Sequence, residues 1–101
     1  GDSDCFAPPT AAGAIEILKR NGAKFAGSNA VVVGRSIIVG KPLAMMLSNL
    51  DATVTICHSK TKNLAEHTEN ADIIASATGI PGLITPQIVK KGAYVVDIGT
   101  A

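Results

Sequence analysis

The sequence predicts an α/β protein with a doubly wound parallel sheet, and three observations favour this fold class. Four β-rich runs alternate with helix-like segments along the 101 residues. The first run, residues 30–33, is apolar without alternation, as expected of a strand that is covered on both faces. Ala, Val, Ile and Leu supply most of the apolar side chains, whereas only two Phe and one Tyr are present. This length fits one compact domain.

The helix and strand signals follow one another in chain order after an irregular opening. Thr10 stands before a helix-length segment over residues 11–20, and Asn21-Gly22 behind it favours a helix stop. The first strand over residues 30–33 comes next. The remaining predicted elements are a helix over 43–50 with Pro42 in its first turn, a strand over 53–57, a short helix over 63–70, a strand over 72–77, a short helix over 85–91 and a strand over 94–98.

Composition and charge argue against several classes of partner. Nine Lys and Arg face eight Asp and Glu, and the resulting net charge of +1 argues against nucleic-acid or anionic-membrane binding. Few aromatics argue against base stacking. No apolar run has the length of a membrane span, and the first residues lack the basic start and apolar stretch of a signal peptide, so neither is expected. Cys5 and Cys57 are expected to be reduced thiols, which predicts a cytoplasmic or organelle-matrix protein.

The loop after the first strand is the strongest candidate for phosphate binding. In open α/β sheets, ligands bind beyond the carboxyl ends of the strands, where loops lead into helices. Gly34 permits a tight turn, Arg35 can make a forked contact with an anion, and the Ser36 hydroxyl can donate to one. The spacing to Gly40 departs from the usual glycine fingerprint. An ordinary strand-to-helix turn with a solvated Arg35 is the alternative.

The loop after the second strand lacks an acidic residue. NAD-binding folds usually have Asp or Glu about 20 residues past the glycines, where it holds the ribose 2′-hydroxyl. Here the strand ends in Cys57-His58-Ser59-Lys60. Arg35 together with Ser59 and His58 or Lys60 would attract a 2′-phosphate, which favours NADP over NAD. A merely solvated polar loop is the alternative.

Small residues follow the last two predicted strands. Ala77, Thr78 and Gly79 follow the third strand, and Gly99-Thr100 follows the fourth. Small side chains there would let the ribose and nicotinamide of a dinucleotide approach the backbone, although the glycines can equally serve only as turn residues.

The remaining Cys, His and Asp residues are expected to have structural roles and not catalytic or metal-binding ones. A zinc site from Cys5, Cys57, His58 and His67 lacks the usual ligand spacing. Cys57 and His58 would point to opposite faces of a strand, so a nucleophilic pair is not expected. Asp72 and Asp97 lie at strand ends, where turn or capping roles are expected.

Three strings resemble one enzyme family. They are G-R-S-x-I-V-G-x-P over residues 34–42, T-V-T-x-C-H-S over 53–59 and K-G-A-Y-V-V-D-I-G over 91–99. Together they resemble the bifunctional methylenetetrahydrofolate dehydrogenase/cyclohydrolase family, the FolD type. The resemblance implies that residues 1–101 are a single Rossmann-like NAD(P)-binding domain, without the family's N-terminal catalytic domain and C-terminal folate loop and helix.

The resemblance also implies an activity for the parent enzyme. Hydride would pass from 5,10-methylenetetrahydrofolate to NADP, with NAD possible, and the methenyl product would be hydrolysed to 10-formyltetrahydrofolate. The folate would bind through the N-terminal domain, and the parent enzyme would be a homodimer. The family's catalytic lysine and its tyrosine partner belong to that domain, so the chain alone is expected to bind cofactor without turnover. The implied cofactor-binding residues are Gly34, Arg35, Ser36, His58, Ser59, Ala77, Thr78, Gly79 and Thr100.

The chain departs from the family pattern at both ends. Pro8-Pro9-Thr10-Ala11 stands where the family has Pro-Cys-Thr-Pro, at the joint between domains. Thr100 stands where the family usually has Ile, and Ala101 replaces an Asn. A dinucleotide- or anion-sensing module without catalysis is the alternative function that the residues leave open.

Overall fold

Five parallel strands form one sheet in the order β1-β5-β4-β2-β3. The computed structural model describes residues 4–6, 10–34, 40–58, 61–77 and 86–97. Within these ranges the elements are β1 (Asp4–Phe6), α1 (Ala11–Arg20), β2 (Asn29–Val33), α2 (Gly40–Asn49), β3 (Thr53–Cys57), α3 (Leu64–Thr68), β4 (Ile73–Ser76), a 3-10 helix (Pro86–Ile88) and β5 (Tyr94–Asp97).

The predicted fold class is confirmed, because apolar layers cover both faces of the sheet. On one face, α1 and α2 pack on alternate strand residues that include Val32, Ile73 and Val96. On the other face, Leu64 of α3 and Val89 pack against a cluster that includes Val31. The two neighbouring strands β2 and β4 are buried along almost their whole length. The apolar run without alternation therefore reflects a central position in the sheet.

β3 is an edge strand and is only partly covered. Thr53 and Thr55 are exposed, whereas Val54 packs against the layer of α1 and α2. The β-branched threonines suit a strand that has one wet face, since they favour extended backbone while their hydroxyls stay in water.

The prediction of an irregular opening is wrong over three residues. β1 pairs in parallel with β5, and Cys5 lies opposite Val96. A strand of three residues is too short to show a period in the sequence, and its backbone bonds with a strand about ninety positions later create it. The predicted helix over 85–91 is also shorter in the structure, where a 3-10 turn covers Pro86–Ile88.

α1 begins and ends as its flanking residues predict. The Thr10 side chain accepts a hydrogen bond from the Gly13 N–H at 3.0 Å, which caps the first turn. At the other end, Gly22 has a φ of +84°, and the Ala23 N–H donates to the Leu18 carbonyl at 3.0 Å. This is a Schellman stop, which turns the chain back toward the start of β2.

Asp72 ties together the amino ends of three strands. Its side chain accepts from the Asn29 N–H at 2.9 Å and pairs with Lys90, while its carbonyl accepts from the Tyr94 N–H at 2.9 Å. The hydrogen bond from Lys90 lowers the pKa of Asp72, and the bond from Asn29 acts in the same direction. The turn role expected for this residue is thus confirmed.

This tie predicts a pH dependence of stability. Because the folded state lowers the pKa of Asp72, its contribution is complete above the ordinary Asp pKa of about 3.9 and is lost as the pH falls through the folded value. We expect Asp72→Asn to lower the urea midpoint at pH 7 and the gap from the parent chain to close in acid. A gap that stays constant down to pH about 3 would contradict this assignment.

Candidate functional site

The carboxyl ends of β2, β3 and β4 meet at one edge of the sheet. Val33 lies opposite Cys57 on one side and opposite Ser76 on the other. The chain leaves β2 toward β3, whereas it leaves β4 toward β5 on the opposite side. The connections after these two adjacent strands therefore diverge and leave a crevice between them. Such a crevice is where open α/β sheets bind ligands.

Gly34 makes the turn out of β2 at this edge. Its φ of +107° lies in a region that residues with a Cβ rarely adopt, so glycine is required there. Its N–H donates to the Cys57 carbonyl at 2.7 Å, and the Ala77 N–H donates to the Val33 carbonyl at 2.8 Å. These two bonds hold three neighbouring chain segments together just beyond the last paired residues.

α2 starts beyond this turn, at Gly40, and its first turn contains no acidic residue. Pro42 lies in that first turn, where a missing N–H costs no helical hydrogen bond. The free amides of a helix N-terminus favour an anion, and no carboxylate of the first turn competes for them. The helix also buries Leu43 and Leu47 against the sheet, which fixes its axis relative to β2.

His58 and Thr61 lie at the carboxyl end of β3. The His58 N–H donates to Thr61 Oγ1 at 2.8 Å, and the Thr61 N–H donates back to the His58 carbonyl at 2.9 Å. Cys57 just before them is a fully buried free thiol. Burial raises the pKa of the Cys57 thiol, and a hydrogen bond with the Thr61 side chain opposes that rise.

The structure brings three of the predicted site residues together. Gly34, His58 and Ala77 each follow the last paired residue of adjacent strands, and all three are partly exposed. The small Ala77 side chain leaves room for a ligand to approach the backbone. The other predicted site residues lie outside the described residues: Arg35, Ser36, Ser59, Thr78, Gly79 and Thr100.

Thr61 is a residue that sequence reasoning missed. It lies three positions beyond His58, inside a segment expected to be merely polar. Threonine side chains commonly bond to nearby backbone groups in turns, so the spacing carried a weak signal for this contact.

The opposite edge of the sheet holds a cavity of about 270 Å³, lined in part by Lys24, Asp72 and Tyr94. The Asp72 carboxylate in this cavity already pairs with Lys90 and accepts from the Asn29 N–H, so we assign no ligand to the cavity. Among the side chains that the structure describes, no three His, Cys, Asp or Glu residues are grouped so that they could hold a metal ion. None of the described helices is long and apolar enough to cross a membrane.

Comparison with known proteins decides the family. Residues 8–101 match the family model described as the tetrahydrofolate dehydrogenase/cyclohydrolase NAD(P)-binding domain. The chain belongs to this family. Its membership confirms the resemblance that the three sequence strings carry.

Relatives of the tetrahydrofolate dehydrogenase/cyclohydrolase family are similar along nearly the whole chain. The bifunctional protein FolD of Clostridium novyi is 59% identical over 97 residues, which are 96% of this chain and 35% of that protein. The crystal structure of FolD from Campylobacter jejuni has a TM-score of 0.87 at 43% identity, over 94% of this chain and 34% of that one. The chain therefore spans about a third of the length of these relatives.

A third relative was solved with a cofactor bound. It is the methylenetetrahydrofolate dehydrogenase-cyclohydrolase of Trypanosoma brucei, which is complexed with NADP and an inhibitor. Its TM-score is 0.87 at 42% identity, and the match covers 94% of this chain and 33% of that chain.

The burial of Cys57 predicts that its thiol reacts slowly with thiol reagents in the folded chain. In the Cys5→Ser variant Cys57 is the remaining cysteine, and its reaction with a disulfide reagent requires both local opening and deprotonation. We expect the folded chain to react at least about tenfold more slowly than the same variant in urea. Equal rates in the two conditions would show that the thiol is accessible in the folded chain.

Proposed function

We propose that this chain binds NADP at the crevice between β2 and β4, as the cofactor-binding domain of a bifunctional folate enzyme. The observation that carries the proposal is the convergence of Gly34, His58 and Ala77 at the carboxyl edge of the sheet, beside the start of α2. The NADP complex of the Trypanosoma brucei relative supports the choice of cofactor.

Each described part of the crevice has a role in this proposal. The turn at Gly34 and the first amides of α2 hold the pyrophosphate, because they combine close backbone approach with a favourable helix dipole. Ala77 lies on the nicotinamide side, together with Thr78, Gly79 and Thr100. Arg35 and Ser36 complete the phosphate site. These roles follow the family pattern at the matching positions of this sequence.

The loop after β3 receives the adenosine side of the cofactor. His58 follows the strand where a carboxylate would hold an unphosphorylated ribose, and neither His58 nor Ser59 can play that part. In this proposal Arg35 and Ser59 bind the 2′-phosphate. A cationic guanidinium beside a hydroxyl stabilises a bound phosphate. It stabilises an unmodified 2′-hydroxyl much less, because that group carries no charge. The domain therefore prefers NADP, and NAD is the weaker ligand.

The chemistry belongs to a longer protein of which this chain is one domain. In the parent enzyme, hydride passes from 5,10-methylenetetrahydrofolate to NADP, and the methenyl product is hydrolysed to 10-formyltetrahydrofolate. The folate binds through an N-terminal catalytic domain that precedes residues 1–101, and a folate loop and closing helix follow them. The parent enzyme is a cytoplasmic homodimer. The FolD relatives, which extend to about three times this length, support the presence of further domains.

Titration with the two cofactors tests the binding site. Hydrogen bonds to charged groups contribute about 1.5–3 kcal/mol, so Arg35→Ala should weaken NADP binding by about ten- to a hundredfold and NAD binding much less. Arg20→Ala is the matched control, because Arg20 is exposed on α1 and pairs with Glu16. Isothermal titration calorimetry measures both affinities. Equal losses for NADP and NAD, or a parent chain without preference for NADP, would refute the 2′-phosphate assignment.

The chain alone should transfer no hydride. Mixed with 5,10-methylenetetrahydrofolate and NADP, it is expected to produce no NADPH, because the catalytic lysine belongs to the N-terminal domain of the family. The control is the parent enzyme under the same conditions, followed by NADPH absorbance. A rate of NADPH formation that rises in proportion to the concentration of this chain would contradict the proposal that catalysis requires the N-terminal domain.

A further inference from the structure

Thr61 makes hydrogen bonds with the residues at the carboxyl end of β3. Its Oγ1 accepts from the His58 N–H at 2.8 Å, and its own N–H donates to the His58 carbonyl at 2.9 Å. Its side chain also bonds the thiol of the buried Cys57. One half-buried threonine is thus bonded to both of the last two residues that the structure describes before the loop.

These bonds connect the loop after β3 to the turn after β2. The Cys57 carbonyl accepts from the Gly34 N–H at 2.7 Å, and Cys57 itself is packed among Val31, Val33 and Ile74. Thr61 is therefore linked to the Gly34 turn through one fully buried residue. We expect a change at Thr61 to reach the crevice by this route.

The bonds also restrict what His58 can offer to a ligand. Its N–H and its carbonyl are both engaged by Thr61, so the main chain at this position provides no amide for an anion. At His58, recognition of an anion then depends on the side chain. The placement of that side chain depends on how rigidly residues 58 and 61 are joined, because holding a binding group in place lowers the entropy lost on binding.

We propose that Thr61 is a positioning residue that sets the preference for NADP over NAD. It acts by fixing the backbone at the end of β3, so that the His58 side chain meets the 2′-phosphate without rearrangement. This inference rests on the proposed function. It goes beyond the family pattern by assigning part of the selectivity to a residue that acts through the position of His58.

Three variants separate positioning from a general loss of structure. Thr61→Val keeps the shape of the side chain and removes the hydroxyl, which leaves the His58 N–H without its acceptor. Thr61→Ser keeps the hydroxyl and should restore the parent behaviour. Thr55→Val is the matched control, since Thr55 is exposed in the middle of β3, the strand that leads to His58. Thr61→Ala provides a second hydroxyl deletion if the valine variant does not fold, as judged by urea unfolding.

The affinities of each variant for NADP and for NAD are measured by titration of this chain. We expect Thr61→Val to weaken NADP binding by about three- to tenfold and NAD binding by less than about twofold, with Thr61→Ser and Thr55→Val near the parent. Equal weakening of both cofactors, or an unchanged preference in Thr61→Val, would overturn the inference while the proposed function stands. A parent chain that binds neither cofactor would overturn both.

Discussion

Burial of β2 between β3 and β4 is the constraint on which the rest of the molecule depends. A strand covered on both faces can satisfy its backbone groups only through its neighbours in the sheet. Its residues Ala30 to Val33 are accordingly apolar and paired on both sides. Because this register is fixed, Gly34 lies beside both the end of β3 and the end of β4. The geometry of the crevice follows from the packing of a strand that carries no functional group.

The two edges of the sheet use different physical chemistry. At the amino ends, Asp72 joins Asn29, Lys90 and Tyr94 through an acidic group that is largely satisfied by protein partners. At the carboxyl ends, the described residues Gly34, His58 and Ala77 bring small side chains and backbone groups, and α2 begins there without an acidic residue. Because Asp97 ends β5 at this edge, a negative ligand meets least repulsion on the β2 side, beside the start of α2. The separation lets one edge stabilise the sheet while the other stays available for binding.

Strand and helix positions were predictable wherever a residue pattern was long enough to show its period. Residues 30–33 and 73–75 are apolar because they are central, and Thr10 and Gly22 bound α1 by their own conformational preferences. β1 was missed because three residues show no period, and its strand character comes from pairing with β5. The helix expected over 85–91 was overestimated, since its two aliphatic residues, Ile88 and Val89, are too few to distinguish a helix from the shorter 3-10 turn at Pro86–Ile88.

The sequence by itself determined the fold class, the family and the loops that face a cofactor, because these depend on local propensity and on strings of adjacent residues. It also indicated the absence of an acid after Cys57, from which we predict a preference for a 2′-phosphate. Only the tertiary structure decided the order of the strands and the hydrogen bonds that Thr61 makes. Both depend on contacts between residues that no period connects, such as the bond from Gly34 to Cys57. Hydrogen bonds between distant segments form when the core brings those segments together, and the amino-acid order alone does not state them.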